Sequence, residues 1–181
     1  IGHVDDEGMA LLAKIGPDFL RNDVQLVVQL DGGGELIAIY EELWDQWPDR
    51  IQIKTGSDEA FRHALIGASD FIVVPDGDAP SDNIQMRAQR YGALPIVHRE
   101  GGLADEVVDC EASLKTGSGL LYDEQTTRSL LAALQRGAAA FASNKAFREL
   151  QGRVMRLDHS WERTTRLYER AYRDAIAAHS S

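Results

Sequence analysis

Short apolar runs alternate along this chain with longer segments in which apolar residues recur every third or fourth position, a pattern that predicts alternating strands and helices as far as Tyr122. The clearest stretch is central. Phe71, Ile72, Val73 and Val74 form a continuous apolar run ended by Pro75, the composition of a strand buried on both faces. Ile84, Ala88 and Tyr91 follow at helical spacing, with Ser81 as the expected N-cap, Asp82 behind it and Gly92 as the stop. Leu94 to Val97 is a second apolar run, so strand, helix and strand fall within about thirty residues, the span of a βαβ unit with parallel strands. Gly101 and Gly102 then make a turn before a short helix over Leu103 to Val108.

The pattern repeats on either side. Ile1 to Val4 reads as the tail of a strand whose beginning is missing, and Met9 to Ile15 as a helix broken at Gly16 and Pro17. Val24 to Leu30 is a strand that leads into the loop Asp31 to Gly34. Leu36, Tyr40, Leu43 and Trp47 mark an amphipathic helix ended by Pro48. Ile51 to Lys54 is a strand, and Ser57, Asp58 and Glu59 open a helix with Phe61, Leu65 and Ala68 on one face. After the central stretch, Thr116 to Gly119 is a turn and Leu120 to Tyr122 a last strand.

Helices follow. Asp123 is the expected cap of the first, with Leu130, Leu134 and Phe141 on its apolar face. Asn144 is the expected cap of the second, which carries Phe147, Leu150, Val154 and Leu157. Ser160 caps the third, whose Trp161, Tyr168, Tyr172 and Ile176 share one side and are expected in the core. The predicted architecture is one α/β domain: a doubly wound parallel sheet over residues 1–122 and a helical tail over residues 123–181. In such sheets ligands sit beyond the carboxyl ends of the strands, where helix N-termini offer unpaired N–H groups to anions. A nucleotide or phosphate site is therefore expected between Pro75–Asp82 and Gly101–Asp105.

Composition narrows the partners. The 181 residues carry a formal net charge of −10, with no cluster of Lys and Arg for a nucleic-acid backbone or an anionic membrane. Cys110 is the sole cysteine, which excludes an internal disulfide and a cysteine metal cage, fits a reducing cytosol and reads as a small buried hydrophobe. No signal peptide or long apolar run is evident, so a soluble intracellular protein is expected. The glycine loop at Asp31–Gly34 matches neither a Walker motif nor a dinucleotide fingerprint. Asp76, Asp78, Asp82 and Asn83 read as solvated turn acids or as oxygen ligands for Mg or Ca. His63 sits on a helix, and His98 at the mouth of the strand edge, where it can meet a hydroxyl or phosphate.

A family resemblance rests on several of these segments. Tyr91, Gly92, Leu94, Pro95, Ile96 and Val97, followed by Gly101, Gly102, Leu103, Asp105 and Val107, resemble the R-Y-G-x-L-P-I-V and G-G-L-x-D-x-V segments of glycogen and starch synthases. Asp58, Glu59, Ala60 and His63 resemble that family's G-Y-D-E-x-x-x-H segment, and Thr116 and Gly117 its T-G turn. Asp158, Ser160, Trp161, Tyr168 and Tyr172 resemble its closing D-x-S-W motif and helix. The resemblance implies the C-terminal, donor-binding lobe of a GT-B glucosyltransferase, which binds ADP-glucose or UDP-glucose for configuration-retaining transfer to a glucan. A separate N-terminal lobe, expected to be absent from this chain, would supply the acceptor site.

Carried over position by position, the resemblance implies a nucleotide-sugar site at Gly32, Ser57, Pro80, Ser81, Asp82, Asn83, His98, Gly101, Gly102 and Leu103. It implies no cofactor, no metal and no nucleic-acid or membrane partner, in the cytoplasm or, in a plant, the plastid. The chain departs from the family at several places. His3 stands for a diphosphate-binding Arg, Glu7 or a gap for a Lys, and Ala79 for the Glu that meets the transferred sugar. Ser57 replaces a Tyr near the base, and Arg87 takes the place of a second carboxylate found in related enzymes. No catalytic residue is assigned for that reason. The alternative expectation is a catalytically degenerate domain with a binding, regulatory or assembly role. An epimerase or dehydrogenase is disfavoured by the lack of a glycine fingerprint and of a Tyr-x-x-x-Lys pair.

Overall fold

The computed structural model describes residues 6–30, 34–75 and 83–179, with only the backbone given for Asp6 and Arg163. His3, Gly32, Ala79, Pro80, Ser81 and Asp82 lie outside the described residues, as do Asp76 and Asp78. Strands and helices alternate in chain order: α1 (Asp6–Phe19), β1 (Leu26–Leu30), α2 (Gly34–Gln46), β2 (Ile51–Thr55), α3 (Glu59–Ala68), β3 (Phe71–Val74), α4 (Ile84–Tyr91), β4 (Leu94–His98) and α5 (Gly101–Glu106). β5 (Leu120–Tyr122) and the helices α6 (Thr127–Ala142), α7 (Asn144–Val154) and α8 (Trp161–His179) complete the order. Every ladder is parallel, as the alternation predicts. Among the described residues the ladders join the strands into two groups, β1–β2 and β3–β4–β5.

The core follows the same division. Leu30, Tyr40, Leu43 and Ile51 are buried between β1–β2 and α2. Ile72, Ala88, Val97 and Leu103 are buried where α3, α4 and α5 cover one face of the three-stranded piece. Its other face packs Ile96 and Leu120 against Leu134 of α6 and Phe147 and Leu150 of α7. α1 bridges the two pieces, giving Met9 and Ala13 to the first cluster and Leu12 and Ile15 to the last. Burial on this scale drives folding at about 25 cal/mol per Å² of apolar surface.

Several local expectations are corrected. α1 runs through Gly16 and Pro17 to Phe19, because Pro17 sits in the last turn and the Leu20 amide still reaches the Gly16 carbonyl at 2.8 Å. Gly16 serves packing instead: a Cβ there would meet Leu43 Cδ1 of α2 at 3.0 Å. Thr126, not Asp123, caps α6, accepting from the Ser129 amide at 3.3 Å, while the Asp123 carboxylate is engaged by Arg99. Asn144 is the first residue of α7 and not its cap. Ser143 joins α6 to α7 and turns its hydroxyl back to the Ala139 carbonyl. α4 begins at Ile84 behind Asn83; its expected cap Ser81 lies outside the described residues. α5 begins at Gly101, two residues earlier than expected. Phe71 and Val73 are only half-buried, so β3 is not covered on both faces.

The largest correction concerns α8. Trp161, Tyr168, Tyr172 and Ile176 share one face as predicted, but Trp161 is 75% exposed, Tyr172 65% and Ile176 67%. Helical period reveals which side is apolar; only a packing partner makes that side core. No helix among the described residues is long and apolar enough to cross a membrane.

Candidate functional site

Parallel pairing brings the carboxyl ends of the strands to common edges. In one piece Leu30 is level with Thr55; in the other Val74 pairs with Val97 and His98 with Tyr122. The last residue of β4 is therefore His98, whose ring lies 5.1 Å from that of Tyr122 at 37°. Its side chain is buried, and Nδ1 lies 3.1 Å from Glu100 Oε2 but outside hydrogen-bond geometry. A buried polar ring atom without a partner is costly unless something else satisfies it.

Gln125 braces this edge from the loop after β5. Its amide accepts from the Tyr122 hydroxyl at 3.1 Å and donates to the Pro75 carbonyl at 2.5 Å, tying the end of β5 to the end of β3. Arg99, next to His98, is already committed: Nε donates to Asp123 Oδ1 at 2.5 Å, and Nη2 lies 3.8 Å from Asp109. Asp109 in turn accepts from Arg136 at 2.8 Å and from the Leu121 amide at 2.9 Å. These charges fix the strands, and Arg99 does not face the edge as a free cation.

Two short helices frame the edge. Gly101 opens α5 with φ +52, a left-handed conformation that costs a residue with Cβ about 1 to 2 kcal/mol, and the N-cap Glu100 makes no side-chain cap hydrogen bond. Gly102 is exposed and Leu103 is fully buried, so the turn is anchored from below with its backbone outward. Asn83, exposed and left-handed at φ 53, precedes α4 and makes no side-chain cap. Gln85 and Gln89, both almost fully buried, line the inner face of α4. Gln85 Nε2 donates to the Glu106 carboxylate at the end of α5, and Gln89 Nε2 to the Ser118 carbonyl at 3.1 Å.

Of the residues expected at the site, Asn83, His98, Gly101, Gly102 and Leu103 lie together on the β3–β4–β5 piece. Ser57 is exposed on the β1–β2 piece, between Gly56 and the α3 cap Asp58. Gly32, Pro80, Ser81 and Asp82 fall outside the described residues. His63 is held by neighbours on the outer surface, its Nδ1 2.9 Å from the Tyr91 hydroxyl and Nε2 3.4 Å from Glu59. Cys110 is buried as expected, and burial pushes its thiol pKa up, opposite to what a reactive nucleophile needs. Among the described residues no three metal-ligating side chains gather.

Gln85, Gln89 and Gln125 were not among the expected residues. For the first two a signal exists in the sequence, since polar side chains at i and i+4 interrupt the apolar face made by Ile84 and Ala88. Gln125 has no such signal.

The alternating parallel α/β fold, with short helices opening at a shared strand edge, is similar to that of GT-B glycosyltransferase domains. In sequence the chain is similar to glycogen synthases over 93% of its length. It is 34% identical over 169 residues to the glycogen synthase of Anaeromyxobacter dehalogenans, covering 93% of this chain and 35% of that protein. Against the glycogen synthase of Rhodopseudomonas palustris it is 35% identical over 174 residues, covering 94% and 36%. Among solved structures it matches the catalytic domain of starch synthase IV from Arabidopsis thaliana, bound to ADP and acarbose. The TM-score is 0.78 at 26% identity, over 98% of this chain and 37% of that one. No family model matches. The chain spans about a third of the length of the curated relatives it matches, 35% of the first.

Proposed function

We propose that residues 1–181 form the donor-binding part of a glycogen or starch synthase-like retaining glucosyltransferase, holding ADP-glucose or UDP-glucose at the carboxyl edge of β3, β4 and β5. The observation that carries this reading is the grouping at that edge of His98, the first turn of α5 and Asn83. Support comes from the starch synthase IV structure, which matches this chain over 98% of its length and was solved with ADP. In this reading the α5 amides meet the diphosphate, and His98 meets a sugar hydroxyl or phosphate oxygen. A glucan is the acceptor, a further lobe or partner chain completes its site, and the location is cytoplasmic or, in a plant, the plastid. The chain is not catalytic by itself.

A second reading, a catalytically degenerate domain with a binding, regulatory or assembly role, is favoured by His3 and Ala79, which stand where the resemblance implies a cation and an acid. An uncompensated carboxylate about 5 Å from a diphosphate charge costs roughly 3 kcal/mol at an effective dielectric near 20, so losing fixed cations weakens donor binding strongly. Two-dimensional NMR of the labelled chain during ADP-glucose addition tests the location. Shifts clustered at Asn83, His98 and Gly101–Leu103 support the donor site, and shifts confined to other regions overturn it.

A further inference from the structure

The backbone fixes Glu100 between β4 and α5. Its amide donates to the His98 carbonyl at 2.9 Å, and its carbonyl accepts from the Ala104 amide at 3.4 Å in the first turn of α5. The carboxylate Oε2 lies 3.1 Å from Nδ1 of His98, with the Glu100 side chain 61% exposed and that of His98 only 9%. Nδ1 is buried without a hydrogen bond, because the carboxylate is close to it but outside bonding geometry. A buried ring nitrogen left in this way is the observation that points to a ligand.

Among the described residues no Lys or Arg is ion-paired with Glu100, and its neighbour Arg99 is engaged by Asp123 and Asp109. Glu100 makes no side-chain bond to the first turn of α5 either, so its charge is not used to cap that helix. An imidazole nitrogen takes one partner, as donor or as acceptor. An anion that reaches Nδ1 must therefore enter the space that Oε2 occupies. The two negative charges repel in proportion to their product, and more strongly at a half-enclosed edge than in open water.

We propose that Glu100 is a specificity-determining residue of this edge: its carboxylate competes with the phosphates of the ligand for His98, and penalises ligands in order of their negative charge. The proposal rests on the donor-site reading above and adds to it a residue that was not among those expected at the site. Removing the charge while keeping the shape, as in Glu100→Gln, lifts the penalty. The benefit is larger for ADP than for AMP, because ADP carries the greater negative charge, and it shrinks as salt screens the repulsion.

Calorimetric titration of the 181-residue chain and its Glu100→Gln variant with ADP and with AMP tests the proposal, at low salt and at about 0.5 M NaCl. Far-ultraviolet circular dichroism establishes that both proteins are folded. The expected result is ADP binding at least about fivefold tighter in the variant at low salt, a smaller gain for AMP, and a reduced ADP gain at high salt. Binding of ADP by the variant alone counts as such a gain. Equal ADP affinity in the two proteins overturns the proposal and leaves the donor site standing. A gain that is the same for AMP and ADP and indifferent to salt also overturns it, since the substitution would then act through structure and not charge. Binding of ADP by neither protein removes the donor-site reading and the proposal together.

Discussion

The buried amide of Gln85 donates to the carboxylate of Glu106, linking the first turn of α4 to the last residue of α5. These are the helices that frame the strand edge, so the contact sets their spacing. Gln85→Leu keeps the volume and removes the donor. It is expected to cost about 1 to 2 kcal/mol in urea unfolding and to weaken nucleotide binding in parallel. An unchanged affinity in a destabilised variant would separate the contact from the site.

Gly101→Ala places a Cβ at φ +52 in the first turn of α5. The expected loss of stability is about 1 kcal/mol, with a larger proportional loss of ADP affinity, because that turn holds the backbone proposed to meet the diphosphate. Calorimetric binding and thermal unfolding of the same preparations compare the two.

Gly117 is a different case. It has φ +93, and a Cβ would lie 2.4 Å from Cys110 Cα, so backbone and not a flexible side chain would have to move. Gly117→Ala is expected to destabilise by about 2 to 4 kcal/mol. Denaturant titration checks it.

Alkaline stability follows from two buried groups. Tyr40, fully buried with its hydroxyl donating to the Met9 carbonyl at 2.9 Å, and Cys110 both have pKa values raised by burial above the ordinary 10.0 and 9.0. The unfolded chain releases these protons at the ordinary values while the folded chain keeps them, so stability falls as pH rises from about 9. The contribution is whole below that pH and disappears only above the folded values. The urea midpoint is expected to drop between about pH 8 and about pH 11, and the Tyr40→Phe, Cys110→Ala double variant to drop less. Equal slopes for both proteins would contradict this.

Much of the fold is legible in the sequence because strand and helix periods are local. The run from Phe71 to Val74 and the stop at Gly92 each declare themselves through residue type alone. Caps are less legible, since Asp123 looks like a cap until Arg99, distant in sequence, claims its carboxylate. α8 shows the same limit on a larger scale, because a stripe of Trp161, Tyr168 and Tyr172 does not say what will cover it. The placement of His98 at the end of β4 and of α5 just after it is legible through strand-edge logic. Gln125 is not, since its role depends on the closeness of Pro75 and Tyr122, which only the folded sheet creates.

The most direct test of the donor site is calorimetric titration of the purified chain with ADP, UDP and ADP-glucose. The proposed site predicts saturable heat for at least one of them with a Kd below about 1 mM, or about −4 kcal/mol, and weaker binding by Gly101→Ala. No saturable heat from any of the three at millimolar ligand, with the chain folded, would contradict it.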